Sequence, residues 1–406
     1  MKHIAVIGAG ITGVTTAYAL LQRGFDVTLV ERNKYAGMET SYANGGQLSA
    51  CNAEVWTNFG TVLKGLKWML RRDAPLLVNP SPSWQKYGWF TKFLFSIPAY
   101  ESNTVRTVEI ALAARRHMFE IAEAEQIDFD LVQRGILHVY DDAASFAAAT
   151  AVNKLLTRGG LERRRVSPAE ISLLEPALSG DFHGGYYTES DYTGDIHKFT
   201  RGLAAACGRL GASFQYERDV TALDMKSGVR LMTCNPAGRD PGDLLADGVV
   251  ICAGVESRRL ARLAGESVDI YPVKGYSITV NLDTSEAQSS APWVSLLDEA
   301  AKIVTSRLGP SRLRVAGTAE FNGYNLDIRR DRIKPLVDWT ARRFPGVPTN
   351  SVIPWAGLRP MMPNMMPRVG RGRRRQVFYN TGHGHLGWTL SCATAQTIAD
   401  VVASGD

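Results

Sequence analysis

No apolar run in the chain approaches the ~20 residues that a membrane-spanning helix needs, so an integral helical membrane protein is not expected. The five cysteines among 406 residues, Cys51, Cys207, Cys234, Cys252 and Cys392, are far apart and odd in number. None falls into Cys-x-x-Cys or another metal-ligand spacing. Neither a disulfide framework nor a zinc module is therefore expected, no metal is predicted, and buried free thiols in a reducing compartment are the default. Neither sign of charge dominates: 46 Lys and Arg against 40 Asp and Glu leave +6, scattered in short pairs with one cluster at 371–375. Lacking a basic stripe or a platform of stacking aromatics, the chain is not expected to bind nucleic acid. With 45% hydrophobic residues, it can bury a substantial core. Its length exceeds the roughly 250–300 residues at which one core stops growing, so two domains are expected.

The most informative segment that is present lies at the N-terminus. Ile4 to Ile7 is an apolar β-run, followed at once by Gly8-Ala9-Gly10-Ile11-Thr12-Gly13, an apolar helical stretch, and a second strand, Val27 to Val30, closed by Glu31. Each part has its own physical reason: Gly8 for the tight turn, Gly10 for the approach of a pyrophosphate, Gly13 for close packing of helix on strand. The diphosphate then faces the helix N-terminus, where N–H groups and the helix dipole favour an anion. Glu31 stands where a carboxylate accepts hydrogen bonds from a ribose, which points to an adenosine ribose without a 2′-phosphate. Lys2-His3 followed by apolar residues to Leu21 has the outline of a secretory signal. The spaced glycines and the lack of a small-residue cleavage site break that outline, and a cytoplasmic location is expected.

Downstream, Glu39 to Gln47 is a polar, glycine-containing loop. From Val55 to Tyr100 the composition shifts: Trp56, Trp68, Trp84 and Trp89 alternate with Lys64, Lys67, Arg71, Arg72, Lys86 and Lys92, interrupted by four prolines. This reads as an insertion of short amphipathic pieces. Helical patterns are predicted for Thr104 to Gln126, Ala143 to Arg158, the segment after the Ser167-Pro168 cap, Ile196 to Leu210, and Leu390 to Ala403. Strands are predicted at Gly135 to Tyr140, Ser213 to Tyr216, Gly248 to Cys252 and Val377 to Thr381. Alternation around Tyr276 to Val280 and Leu313 to Gly317 predicts an antiparallel sheet in the second domain. Ala253-Gly254 closes one strand with a small pair that permits close backbone approach. A second glycine loop, Gly382 to Thr389, feeds the last helix, so the chain carries two anion-favouring loops, enough to hold both ends of a long cofactor.

Taken together these motifs resemble the FAD-dependent amine oxidoreductases of the D-amino-acid oxidase and glycine oxidase type, and within them the small subunits of bacterial D-amino acid dehydrogenases. The resemblance spans nearly the whole chain. It rests on Gly8 to Gly13, Thr40 to Gln47, Lys64 to Pro75, Thr193-Gly194-Asp195, Tyr271 to Ser277, Trp355-Ala356-Gly357-Leu358-Arg359-Pro360, and Gly382 to Thr389. It implies an α/β chain: a discontinuous Rossmann-like FAD-binding domain (1–55, 150–265 and 350–406) plus an α+β substrate domain (56–149 and 266–349) with a mainly antiparallel sheet. Non-covalent FAD is implied, with no cysteine in 357–370 to tether it. Gly8, Gly10, Ile11, Thr12 and Gly13 would lie at the diphosphate, Glu31 and Arg32 at the adenosine, and Val220, Ala253 and Gly254 at the adenine end. Ser41, Gly46, Gln47 and Leu48 would approach the isoalloxazine, as would His383, Gly384, His385, Leu386, Gly387, Trp388 and Thr389.

The resemblance assigns Arg359 to the substrate carboxylate, in a bidentate pair that fixes Cα against the flavin. Tyr276 and Tyr324 are candidates for ordering that carboxylate or walling the side-chain pocket. The implied reaction is oxidation of a D-amino acid to its imino acid, with two electrons passing to FAD, then hydrolysis to a 2-oxo acid and ammonia. A quinone or other non-oxygen acceptor and a peripheral membrane contact through 55–100 are the expected partners, with a basic lid as the other reading of that segment. Alternatives are a glycine, sarcosine or D-proline oxidoreductase of the same fold, or an FAD-containing subunit of a larger amine-oxidising complex. The chain departs from its relatives at Met361 to Met366, an apolar stretch, and at His385, where a small polar residue is common.

Overall fold

The computed structural model describes residues 2–68, 74–226 and 228–405. One layer is a six-stranded sheet in the order Arg368–Arg371, Val377–Thr381, Gly248–Ile251, His3–Ile7, Asp26–Val30, Ser213–Gln215. All neighbours run parallel except the edge strand Arg368–Arg371. Strand parity sorts the side chains into two layers. Ile4 and Val6 join a core with the helices Ile11–Leu21, Ile196–Arg209 and Gly387–Ser404. Ala5 and Ile7 face the other way, onto Val229 and Leu231 of a three-stranded antiparallel sheet. Both faces are covered, so the strands read as continuous apolar runs.

The second layer is a nine-stranded sheet, in the order Val352–Met361, Tyr271–Asn281, Arg312–Phe321, Ile303–Leu308, Ser295–Asp298, Ile136–Tyr140, Gly184–Thr188, Arg164–Val166, with Leu76–Val78 beside Arg312–Phe321. Most of its pairs are antiparallel; Ser295–Asp298 with Ile136–Tyr140, and Arg312–Phe321 with Leu76–Val78, are parallel. Helix Arg330–Arg343 covers one face through Leu336 and Trp339. Three strands fall outside their expected segments: Arg164–Val166, Gly184–Thr188 and Val352–Met361 join this large sheet, although 150–265 and 350–406 were expected to build the nucleotide domain. Hydrogen-bond pairing with Ile136–Tyr140 draws in the first two, directly or in sequence, and pairing with Tyr271–Asn281 draws in the third.

The expected helix starts hold. Ser167 and Glu170 form a capping box, and Asp195 caps Ile196–Arg209 by accepting from the His197 and Lys198 N–H groups. Helix Tyr100–Ala124 starts four residues before its predicted span. The Trp-rich segment forms helix Phe59–Trp68, strand Leu76–Val78 and helix Trp84–Phe95. Arg71, Arg72 and the side chains of Lys64, Leu66, Lys67 and Trp68 lie outside the described residues.

Candidate active site

A cavity of about 1210 Å³ runs between the two large sheets and is lined from both. At its nucleotide end, Gly8 has φ +102°, and a Cβ there would sit 2.8 Å from the Cys252 carbonyl. A Cβ on Gly13 would meet the Gly8 carbonyl at 1.8 Å, so helix Ile11–Leu21 packs on its strand only as glycine. Gly10 differs: a Cβ there would meet only Ser41 Oγ, at 3.5 Å, leaving the space above the helix N-terminus open. Ser41 Oγ accepts from the Ile11 N–H at 3.0 Å, which ties the polar loop to that terminus. Buried Glu31 accepts from the Ala9 N–H at 2.7 Å and from both nitrogens of Asn33 at 2.8 and 2.9 Å. Burial raises its pKa, and those hydrogen bonds oppose the rise. Arg32 is paired with Glu39 at 2.7 Å.

The loop of residues 39–47 is stitched to the large sheet. Thr40 Oγ1 donates to the Leu358 carbonyl at 2.9 Å, Ser277 Oγ to Ala43 at 2.8 Å, Ser306 Oγ to Gly45 at 2.6 Å, and Gln47 Nε2 to Ser295 Oγ at 2.8 Å. The loop is thereby a rigid wall between the nucleotide end and the substrate end. From the opposite side comes the glycine loop before helix Gly387–Ser404. His383 is buried against Thr394 Oγ1 at 2.9 Å, and burial lowers its pKa to about 3. His385 stacks on Trp56 at 4.8 Å and donates through Nε2 to the Asn52 carbonyl at 3.4 Å. Its pKa falls to about 4, first through burial and then through the nearby Arg359 charge. Both imidazoles are neutral at pH 7.

Arg359 lies beyond His385. Its Nη1 donates to the Thr318 carbonyl at 3.0 Å. Its Nη2 lies where a Cβ on Gly275 would be, 2.4 Å away, so the glycine makes the space for the guanidinium. Among the described residues no carboxylate lies within 4 Å of it. Desolvation lowers its pKa to about 10, which still leaves it charged at pH 7. A cavity-facing cation without a counter-charge is a receptor for an anion.

The cavity brings together Gly8, Gly10, Ile11, Thr12, Glu31, Arg32, Ser41, Gly46, Gln47, Val220, Ala253, Gly254, His383, Gly384, His385, Gly387, Trp388 and Arg359. Gly13, Leu48, Leu386 and Thr389 stand one layer behind the wall. Leu48 pairs with Tyr192 in a short ladder, and Thr389 Oγ1 accepts from the Ser49 N–H at 3.3 Å. Tyr276 borders the cavity, but its phenol donates to Glu320 at 2.6 Å and its ring belongs to the core around Trp339. Tyr324 is 45% exposed, does not line the cavity, and points its hydroxyl at the Val255 carbonyl, 3.4 Å away. Neither tyrosine is thus placed to order a carboxylate at Arg359.

A polar belt on the cavity wall had no signal in the sequence. His138 sits between Cys51 Sγ at 3.2 Å and Glu299 Oε1 at 3.1 Å, and Glu299 also pairs with Lys302. Burial pushes the Cys51 thiol pKa up and lowers that of His138 to about 4, so both are neutral at pH 7. The residues fit an FAD. Besides the open space over Gly10, Trp388 and His385 line the cavity, and among the described residues their buried Nε1 and Nδ1 have no hydrogen-bond partner, which leaves a donor and an acceptor unsatisfied in the wall of the site.

A two-layer α/β protein with a βαβ dinucleotide fingerprint, a second glycine loop and a cavity ending on an arginine with no acidic partner among the described residues is a flavin-dependent oxidoreductase in architecture. A family model described as FAD dependent oxidoreductase, DAO, matches residues 3–401, and the chain belongs to that family. It is 62% identical over 404 residues to D-amino acid dehydrogenase 3 of Mesorhizobium japonicum, covering 100% of this chain and 98% of that protein. It is 41% identical over 411 residues to D-amino acid dehydrogenase of Paramagnetospirillum magneticum, covering 98% and 94%. In fold it is similar to glycine oxidase from Geobacillus kaustophilus, with a TM-score of 0.77 at 21% identity, covering 100% and 95% of the two chains. The protein is an FAD-dependent oxidoreductase.

Proposed function

We propose that the chain oxidises D-amino acids to 2-oxo acids and ammonia and passes the electrons to a quinone or another acceptor that is not oxygen. The observation that carries the substrate reading is Arg359, a cation in the cavity with no acidic partner among the described residues. The full-length likeness to D-amino acid dehydrogenases supports it. FAD supplies the hydride acceptor when bound. The chain's own residues bind and orient: Arg359 takes the carboxylate in a bidentate pair, fixed from behind by the Thr318 carbonyl. The neutral imidazoles of His383 and His385 keep further positive charge away from the substrate amine, which reacts as the free base. The six-stranded sheet with its three helices is the proposed flavin domain, and the nine-stranded sheet the substrate domain.

The acceptor reading rests on exposed side chains of helices Phe59–Trp68 and Trp84–Phe95. Phe59 is 70% exposed, Trp84 92% and Phe95 81%, on the two helices whose other residues, such as Val62, Phe90 and Phe93, line the cavity. Among the described residues no helix is long and apolar enough to cross a membrane. Exposed aromatics beside a cavity mouth suit contact with a lipid surface from which a quinone is drawn. The test is anaerobic addition of D- and L-amino acids, glycine, sarcosine and D-proline to the holoenzyme, following flavin absorbance. Bleaching by D-amino acids, with fast recolouring by a soluble quinone and slow recolouring in air, is expected. Bleaching by glycine or sarcosine alone would shift the reading to those substrates, and none at all to a subunit of a larger complex. A Trp84→Ser, Phe95→Ser double variant is expected to bleach normally but to sediment less with anionic lipid vesicles. Unchanged sedimentation would remove the lipid contact.

A further inference from the structure

Thr318 lies inside strand Arg312–Phe321 with φ +60°, the left-handed region that a β-branched side chain rarely occupies. The conformation sits at a break in register. Pairing with Tyr271–Asn281 runs as far as Tyr276 opposite Gly317 and resumes at Lys274 opposite Glu320, so Thr318 and Ala319 together oppose Gly275. This is a β-bulge, and it faces the glycine over which the Arg359 guanidinium lies. The bulge turns the Thr318 carbonyl onto Arg359 Nη1. The residue is only 7% exposed and lines the cavity, and its Oγ1 is shut off from water with no hydrogen-bond partner among the described residues. A strained backbone and an unpaired buried hydroxyl at one residue are two separate costs, and such costs persist where the surrounding structure enforces them for function.

We propose that Thr318 is a second element of the substrate site: its carbonyl positions the Arg359 guanidinium, and its unpaired hydroxyl, turned about χ1 from its buried position, donates to the carboxylate that Arg359 holds. The inference rests on the reading of Arg359 as the carboxylate receptor and adds a neutral donor beside it. A left-handed Thr318 does at the carboxylate what a regular β residue in that strand would not, because a regular ladder has no turned-in carbonyl at this position.

The test uses holoenzyme variants with D-alanine as substrate and propionate as an amine-free carboxylate probe, read through flavin absorbance. Thr318→Val removes the hydroxyl, Thr318→Ser keeps it, and Thr318→Gly removes both hydroxyl and backbone strain. Thr318→Val is expected to raise KM for D-alanine and Kd for propionate about tenfold or more, since a hydrogen bond to a charged group is lost. The limiting rate of flavin reduction should change less than KM. Thr318→Ser should stay within about threefold of the parent. Thr318→Gly should melt no lower than the parent while binding propionate as weakly as Thr318→Val. Unchanged propionate binding in both Thr318→Val and Thr318→Gly overturns the proposal, as does a Thr318→Ser variant as impaired as Thr318→Val. Arg359→Ala, measured in parallel, separates the two readings: if it weakens propionate binding and the Thr318 variants do not, only the Thr318 assignment fails. If Arg359→Ala leaves binding unchanged, the receptor reading fails.

Discussion

Replacing Arg359 by alanine tests the substrate site most directly, because the structure gives this residue little else to do. Among the described residues its one side-chain hydrogen bond is to the Thr318 carbonyl, and no carboxylate balances its charge. A bidentate guanidinium–carboxylate pair supplies two charge-assisted hydrogen bonds, each about 1.5–3 kcal/mol. Losing both should cost about 3–4 kcal/mol, since water partly fills the gap, which converts to roughly 10²- to 10³-fold in kcat/KM. Arg359→Lys keeps the charge but not the fork, and about tenfold is expected. The assay is anaerobic stopped-flow bleaching by D-alanine at pH 8, below the pKa of about 10, where the guanidinium is charged. The sign of the stability change is equally informative: deleting a desolvated, uncompensated cation should leave the melting temperature unchanged or raise it. A fall in kcat/KM of less than about fivefold, or a clear drop in melting temperature with KM intact, would refute the reasoning and make Arg359 structural.

Gly13→Ala places a Cβ 1.8 Å from the Gly8 carbonyl, a clash that only backbone movement relieves, so the purified variant should carry little or no flavin; parent-like flavin absorbance would contradict the packing argument. Tyr276→Phe removes the phenol that donates to Glu320 at 2.6 Å in the core. It should lower the melting temperature through a loss of about 1–3 kcal/mol, with KM for D-alanine within about threefold; a large KM effect would put the phenol back in the site. His138 and His385, with pKa values near 4, and His383, near 3, are all held below the ordinary histidine value near 6.5. Between those values the unfolded chain binds more protons than the folded one, so the stability is fully present above about pH 6.5 and is lost as pH falls toward 4. Melting temperatures should decline steadily from pH 7 to pH 5, and a flat profile would mean that these imidazoles are hydrated in solution.

The nucleotide half of the fold is legible because each of its glycines answers a separate steric demand within one short stretch. Gly8, Gly10 and Gly13 are respectively a positive φ, an open approach and a helix–strand contact. The substrate half is less legible because strand parity is hidden when both faces of a strand are covered. In Tyr271–Asn281 every residue but the last is buried, so nothing in the apolar pattern tells which alternate set faces the cavity. Tyr276, Ile278 and Val280 belong to the core under helix Arg330–Arg343, whereas Gly275 and Ser277 face Arg359 and the polar loop. That single parity turns the Tyr276 phenol to Glu320, away from a role in ordering the carboxylate, while the residue still borders the cavity. The belt of Cys51, His138 and Glu299 was unreadable for another reason: a loop, a strand and a turn separated by more than 80 residues at each step meet only through the sheet order.

The same sheet order explains why the Trp-rich segment is not a detachable insertion. Arg312–Phe321 is bordered by Ile303–Leu308 up to Gly317 and by Leu76–Val78 from Ala319 onward, so Thr318 is the point at which one neighbour gives way to the other. The Ala319 N–H donates to the Pro75 carbonyl at 2.7 Å, and Trp89 Nε1 donates to the Met361 carbonyl at 2.9 Å, two residues beyond Arg359. The segment that presents exposed aromatics to solvent therefore also completes the sheet around Arg359, the proposed carboxylate receptor. Removing residues 55–100 would open the cavity wall and expose the edge of Arg312–Phe321, and loss of dye reduction and of quinone reduction together would then follow from structure alone. Surface substitutions at Trp84 and Phe95, whose side chains leave that framework intact, are the perturbations that separate docking from catalysis.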